Sequence, residues 1–401
     1  MSELVTLSEI EAAAVTLAPI LRPTPLEQVP SIATLIGAQL LVKPEFRQLT
    51  GSFKIRGAYH RISQLPSGAP VVAASAGNHA QGVARAARLT GRQATIFMPS
   101  SAPLPKIAAT RADGAAIELI DGVVDDCLVA AVAFGERTGA AFIHPFDDPA
   151  IIAGQGTIGL ELADALTEPA TVLVPVGGGG LISGISAALR ARNAATRIIG
   201  IEAATAAGMR ASLDAGSLVG LTSIDTIADG IAVKRPSERT LAHVQAFVDE
   251  IVTVSDDDIA RACVLLLERA KAVVEPAGAA GLAALLSGAV RADGPVVVVL
   301  SGGNIDPLIL TRLVEHGLTA SGRYLVLKLD IEDRPGALAN LTARVAALGL
   351  NVLSVEHHRL GMRLGLDKVE VQLTVETRDP THRDETVAAL RASGLGVELV
   401  E

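Results

Sequence analysis

Short apolar runs alternate with longer alanine-rich stretches through most of this chain, and that alternation restricts its fold more than any other feature of the sequence. The runs Val71 to Ala74, Ala94 to Met98, Ala116 to Ile120, Ala141 to Ile143, Val172 to Pro175, Arg197 to Glu202, Phe247 to Val254 and Pro295 to Leu300 have the length of strands. The last contains no polar side chain at all. A strand apolar on both faces has to be covered on both, as in parallel sheets whose crossover helices pack above and below. The intervening stretches are long enough for such helices, so βαβ units are expected and the class is α/β. An opening helix is expected from Leu7 to Ile20, where Ile10, Ala13, Ala14, Leu17 and Ala18 recur at helical spacing ahead of Pro23 and Pro25. A short strand, Gln39 to Val42, follows it.

Beyond Leu318 the pattern changes. The small, polar segment 319–323 reads as a linker, which leaves 1–318 as one domain and 324–401 as another. The second is expected to run strand (Tyr324 to Asp330), helix (Gly336 to Leu348), strand (Asn351 to His358), strand (Lys368 to Glu376), helix (Thr381 to Ala392) and strand (Val397 to Val400). That βαββαβ order is the ferredoxin-like arrangement.

Composition removes several functions. A net charge of -9 and an aromatic content of 2% are unsuited to neutralising phosphates or stacking bases, so no nucleic-acid partner is expected. The apolar runs are too short to span a bilayer, so no membrane partner is expected either. Cys127 and Cys263 stand alone, without the spacing of a disulfide framework or a zinc site. Glu3, Glu9 and Glu11 occupy the region where a signal peptide would carry basic and then apolar residues. A cytoplasmic protein is the expectation.

Four segments could carry chemistry. In Gly51-Ser52-Phe53-Lys54-Ile55-Arg56-Gly57 a lysine stands among small residues at a helix start. Taken alone Lys54 reads as a solvated residue on a helix face. It becomes a nucleophile only where its pKa is lowered or its amine is engaged as a Schiff base. In Ser75-Ala76-Gly77-Asn78-His79 the chain turns from the strand Val71 to Ala74 into a helix, at the end of a parallel strand where ligands bind. The amides there can hold a carboxylate, with Ser75 and Asn78 as donors, although either residue could equally cap the helix. His79 reads as structural partner or catalyst with equal force. In Gly177-Gly178-Gly179-Gly180, after Val172 to Pro175, the absence of side chains lets backbone amides approach a phosphate. In Ser301-Gly302-Gly303-Asn304, after Pro295 to Leu300, the serine can offer its hydroxyl to a ring nitrogen or simply close a turn.

The glycine loop also admits a nicotinamide dehydrogenase. Gly178-x-Gly180-x-x-Ser183 approaches a dinucleotide fingerprint, and Glu202 ends the next strand at the distance of a ribose-binding acid. The third glycine is missing, however, and the lysine and asparagine segments would be left without a role.

In this order the four segments resemble the fold-type II pyridoxal-phosphate enzymes, of the tryptophan synthase beta-like type, and most closely the threonine ammonia-lyases (threonine dehydratases). The resemblance covers about Leu7 to Leu318 and implies a smaller subdomain, roughly 50–146, inserted in a larger one. It implies that Lys54 is joined to pyridoxal 5'-phosphate and moves the substrate Cα proton. Phe53 would lie against the ring, Asn78 would bond its phenolic oxygen, Gly177 to Gly180 would hold its phosphate and Ser301 would face its nitrogen. Ser75, Gly77 and Asn78 would be near the substrate carboxylate. The activity implied is conversion of L-threonine or L-serine to a 2-oxo acid and ammonia, with serine racemase and 3-hydroxyaspartate ammonia-lyase as alternatives. Serine racemases carry a second serine where this chain has Ala76, which cannot move a proton. Some relatives bind a divalent cation through residues matching Glu202 and Ala206, but Gly208 replaces the aspartate of that set, so no metal is expected. The tail resembles an ACT domain through Asp333-Arg334-Pro335-Gly336 and the helix of Leu338, Leu341, Val345 and Leu348. Such domains pair and bind an amino acid, which implies a homodimer or homotetramer and allosteric control by isoleucine or valine. A pairing module without ligand, or an amino-acid sensor, remains open at this point.

Overall fold

The computed structural model describes residues 3–291, 294–320, 322–358 and 367–400. Its contacts divide the chain into Met1–Leu310 and Thr311–Glu401.

The first unit holds two sheets. One has six strands in the order Glu27–Gln28, Leu40–Lys43, Val296–Val299, Thr171–Pro175, Arg197–Ala203 and Glu250–Val254. All its pairings are parallel except the edge pair Glu27–Gln28 with Leu40–Lys43. The other has four parallel strands in the order Ala116–Ile120, Ala94–Pro99, Val71–Ala74 and Ala141–Phe142. Their inner strands are apolar without alternation because helices cover both faces. Val296, Val297, Val298 and Val299 are all wholly buried, with Val296 and Val298 in one cluster and Val297 and Val299 in another across the sheet.

Two glycines set how closely the lysine-bearing helix packs. Lys54–Ser63 crosses Pro149–Ala165 where Gly57 meets Gly154; a Cβ on Gly154 would lie 2.5 Å from the Gly57 Cα. The Gly57 amide also donates to Gln155 Oε1 at 3.2 Å. Beneath this crossing lies a buried charge cluster. Arg56 donates to both carboxylate oxygens of Glu45 at 2.8 Å and to Glu161 at 2.6 Å, while Lys43 pairs with Glu161.

Most strands and helices expected from the sequence are found to within a few residues. Phe247 does not begin a strand: it ends the helix Glu238–Phe247, its ring edge-on to His243, and the strand starts at Glu250. Tertiary packing outweighs its β-propensity. The opening helix stops at Leu17, capped at its start by Thr6.

The second unit is an antiparallel sheet in the order Asn351–His358, Lys368–Glu376, Tyr324–Glu332 and Gly396–Leu399, with the helices Ala337–Ala347 and Pro380–Ala392. Its alternating strands put Leu325, Leu327, Leu329, Val369, Val371, Leu373 and Val375 on one buried face. The expected linker 319–323 is partly helical, since Thr319 and Ala320 close the helix Pro307–Ala320 and the Thr319 hydroxyl donates to the Glu315 carbonyl one turn back at 2.9 Å. Ser321 lies outside the described residues.

Candidate active site

The carboxyl ends of strands from both sheets of the first unit open into one cavity of about 1070 Å³. Phe53, Lys54, Ser75, Gly77, Asn78, Gly177, Gly178, Gly179, Gly180 and Ser301 all line it, so segments far apart in sequence converge there.

Lys54 is the first residue of its helix, and its Nζ donates to the Pro145 carbonyl at 3.0 Å. Burial pushes the amine down to about 8, against the opposing pull of the Glu275 charge. Phe53 precedes it as the helix cap, with the Lys54 Nζ 5.2 Å from its ring centroid. The Phe53 amide donates to the Ser301 carbonyl at 3.1 Å, which ties the lysine segment to the end of the central strand.

The carbonyl that holds Lys54 sits in a loop organised by His144. His144 Nδ1 accepts the amides of Phe146 at 3.2 Å and Asp147 at 2.8 Å, which requires an unprotonated Nδ1. Burial lowers its pKa against the pull of the Asp147 charge, with the Lys54 charge adding to the lowering. His79 is also structural: Nε2 donates to the Ile143 carbonyl at 2.9 Å, and burial, with Lys54 adding, pushes it down to about 3.

The glycine loop lines the same cavity. The helix Gly180–Arg192 starts there, capped by Gly179 in the left-handed region at φ 91°. Its first amides have no partners within the helix and present a positive dipole end to the cavity. The glycines are also demanded by packing. A Cβ on Gly178 would overlap the Phe146 ring, one on Gly180 would lie 2.8 Å from Phe146 Cβ, and one on Gly177 would lie 2.9 Å from Ile231 Cα. Because an aromatic ring cannot bend aside, Gly178→Ala is expected to lower stability by about 1–3 kcal/mol, seen as a reduced melting temperature.

Asn78 does not cap its helix. The cap is Gly77, without a side-chain bond, and Ser75 Oγ accepts the Gly77 amide at 3.1 Å. The Asn78 carboxamide instead bonds Glu275 and Asn304. Glu275 is the acid that sequence reasoning missed; standing before Pro276 at the start of the helix Pro276–Leu286, it resembles an ordinary helix-start residue. Burial, with Asp229 adding, pushes its carboxyl up to about 8. Lys106, also unforeseen, pairs with Asp229 at the cavity wall. Glu202, weighed above as a ribose or cation ligand, is a helix cap: its two oxygens accept the amides of Met209 at 2.9 Å and Arg210 at 2.8 Å.

An amine able to lose its proton near neutrality, in one cavity with a glycine-rich helix start, suits a ligand with a carbonyl at one end and a phosphate at the other. Pyridoxal phosphate has both.

Comparison with known proteins agrees. The model of the family "Pyridoxal-phosphate dependent enzyme" matches residues 17–302. The chain is 44% identical over 400 residues to an L-threonine ammonia-lyase of Thermotoga maritima, covering 99% of this chain and all of that one. It is 46% identical over 370 residues to an L-threonine ammonia-lyase of Geobacter sulfurreducens, covering 91% and 92%. The solved crystal structure of a T.th. threonine deaminase is 42% identical, with a TM-score of 0.73 over 75% of this chain and 99% of that one. The lysine segment, the asparagine turn, the glycine loop and the serine at the end of the central strand thus lie within the matched span, and the chain belongs to the pyridoxal-phosphate dependent enzymes.

Proposed function

We propose that this chain converts L-threonine, and also L-serine, by α,β-elimination to 2-oxobutanoate or pyruvate and ammonia. The observation that carries this reading is Lys54 lining the same cavity as Gly177 to Gly180 at the start of a helix. Bound there, the cofactor supplies an electron sink for the substrate Cα. Gly177 to Gly180 would hold its phosphate through their amides, Asn78 would donate to its phenolic oxygen, and Ser301 and Phe53 would meet its ring nitrogen and ring. Ser75, Gly77 and Asn78 would be near the substrate carboxylate. Lys54 would be the base that takes the substrate Cα proton, its amine brought down to about 8 by burial. Ala76 also lines the cavity and has no proton to give, so inversion at Cα lacks a second acid and elimination is favoured over racemisation.

The test is release of 2-oxo acid from threonine, serine and 3-hydroxyaspartate by the purified protein. Turnover of 3-hydroxyaspartate alone would overturn the substrate assignment.

Attachment of the cofactor needs a neutral amine, so its rate on the apoprotein should follow the titration of Lys54. With a pKa of about 8, roughly a tenth of the amine is neutral at pH 7 and roughly nine tenths at pH 9. The expected outcome is about a tenfold rise in rate between those values, followed by a plateau. A rate still climbing tenfold per pH unit above pH 9 would indicate an unperturbed lysine.

The second unit is read as an ACT domain that pairs and binds an amino acid near Gly336, with 1–318 as the catalytic domain, 319–323 as the connection and 324–401 as the regulatory domain. Two features support this: Gly336 caps the helix Ala337–Ala347 in the left-handed region at φ 89°, and the edge strand Asn351–His358 leaves Leu353 and Val355 exposed. Isoleucine or valine, added at millimolar concentration, should change the rate of threonine turnover; identical rates would leave pairing as the domain's only role.

A further inference from the structure

The hydrogen bonds around Asn78 can be assigned atom by atom from one fixed point. The Thr50 carbonyl can only accept, so the Asn304 atom 2.6 Å from it is Nδ2. That same Nδ2 lies 2.8 Å from Asn78, which must present Oδ1. Asn78 Nδ2 is then the atom 2.7 Å from Glu275 Oε1, to which it donates one hydrogen. Both Asn304 hydrogens are used, and one Asn78 hydrogen is left.

The surroundings are shaped to this chain of bonds. Glu275 is 3% exposed, and its own amide donates to the Gly302 carbonyl at 3.0 Å. A Cβ on Gly302 would overlap Glu275 Oε1 and come within 3.0 Å of Asn78 Nδ2; one on Gly51 would overlap Asn304 Oδ1. Gly51 is besides in the left-handed region at φ 68°. One glycine in each of the lysine and serine segments is therefore required by Asn304 and Glu275.

We propose that Glu275 and Asn304 are positioning residues that clamp the Asn78 carboxamide from both ends, so that its one remaining N–H is a fixed donor for the phenolic oxygen of the bound cofactor. This rests on the reading of Asn78 given above. A free asparagine can turn its amide over and present an oxygen, which would repel that acceptor. The clamp removes this alternative before the cofactor arrives, which lowers the cost of ordering the donor.

The test is a double-mutant cycle on the holoenzyme, read as the dissociation constant for pyridoxal phosphate and the position of the visible absorption maximum. Asn304→Asp keeps the shape but cannot donate, and should weaken cofactor binding roughly tenfold, the worth of one well-placed hydrogen bond. Asn78→Ala should do the same, and the two together should be no worse than Asn78→Ala alone. Glu275→Leu should behave like Asn304→Asp, while Glu275→Gln, which keeps an acceptor, should bind within about threefold of the parent. If Asn304→Asp fails to fold, Asn304→Ala completes the same cycle. Additive losses, with Asn304→Asp equally damaging when Asn78 is already absent, would overturn the clamp and leave the reading of Asn78 intact. An Asn78→Ala protein that binds the cofactor as tightly as the parent would overturn both.

Discussion

Lys54→Ala is expected to yield a folded protein without the visible absorption band of lysine-bound cofactor and with turnover of threonine reduced by at least roughly 10³-fold. The size follows from what the side chain does. It anchors the cofactor, and as the base beside the Cα it contributes a proton transfer worth on the order of 10²–10⁴ by itself. Folding should survive, because the one hydrogen bond lost is that from Nζ to the Pro145 carbonyl, and removing a buried amine with a depressed pKa removes a desolvation cost as well. Retained far-ultraviolet dichroism with an absent visible band would show this. A band that persists in Lys54→Ala would move the covalent link to another amine and sink the assignment of the site.

The second large effect concerns stability. Arg56→Met should lower it by about 3–5 kcal/mol, since Glu45, wholly buried, would lose its bidentate partner and remain as an uncompensated charge. Glu161 and Lys43 belong to the same cluster. Denaturant unfolding measures the loss, and Glu45→Gln placed beside Arg56→Met should recover part of it by removing the stranded charge. A loss below about 1 kcal/mol would mean that water reaches the cluster once the guanidinium is gone. The cluster also predicts acid sensitivity. Although burial opposes it, Arg56 and Lys43 hold the Glu161 carboxyl below its ordinary value of 4.5. Its contribution is therefore complete above about pH 4.5 and is lost as pH falls through the lower folded-state value.

Much of the fold was legible because burial on both faces writes strands into the sequence as unbroken apolar runs, and Val296 to Val299 is the plainest case. The boundary near Phe247 was not legible, since an aromatic residue followed by Val248 suits a strand as well as a helix end, and only contact with His243 decides. Within the site, the glycine loop could be foreseen from a strand, four glycines and a helix in succession. Glu275 could not. An acidic residue before a proline carries no mark of a partner 197 residues away, and the meaning of Asn304 likewise appears only when its amide meets Thr50 and Asn78. His144 was silent for the same reason, as the amides it accepts are its own near neighbours and leave no pattern in residue type.

The place of Val296–Val299 in the six-stranded sheet, between Leu40–Lys43 and Thr171–Pro175, has a consequence for how the protein is made. The neighbours of this strand leave the ribosome long before it does. Until it arrives they have no common partner, Ser301 is absent from the cavity and Asn78 lacks the Asn304 amide. The nascent chain therefore holds a split sheet with unpaired inner edges for most of its synthesis, a state that invites association with other chains. Assembly of the catalytic unit is a late, single closure made by its last strand, and chains arrested before residue 300 should neither take up cofactor nor stay dispersed.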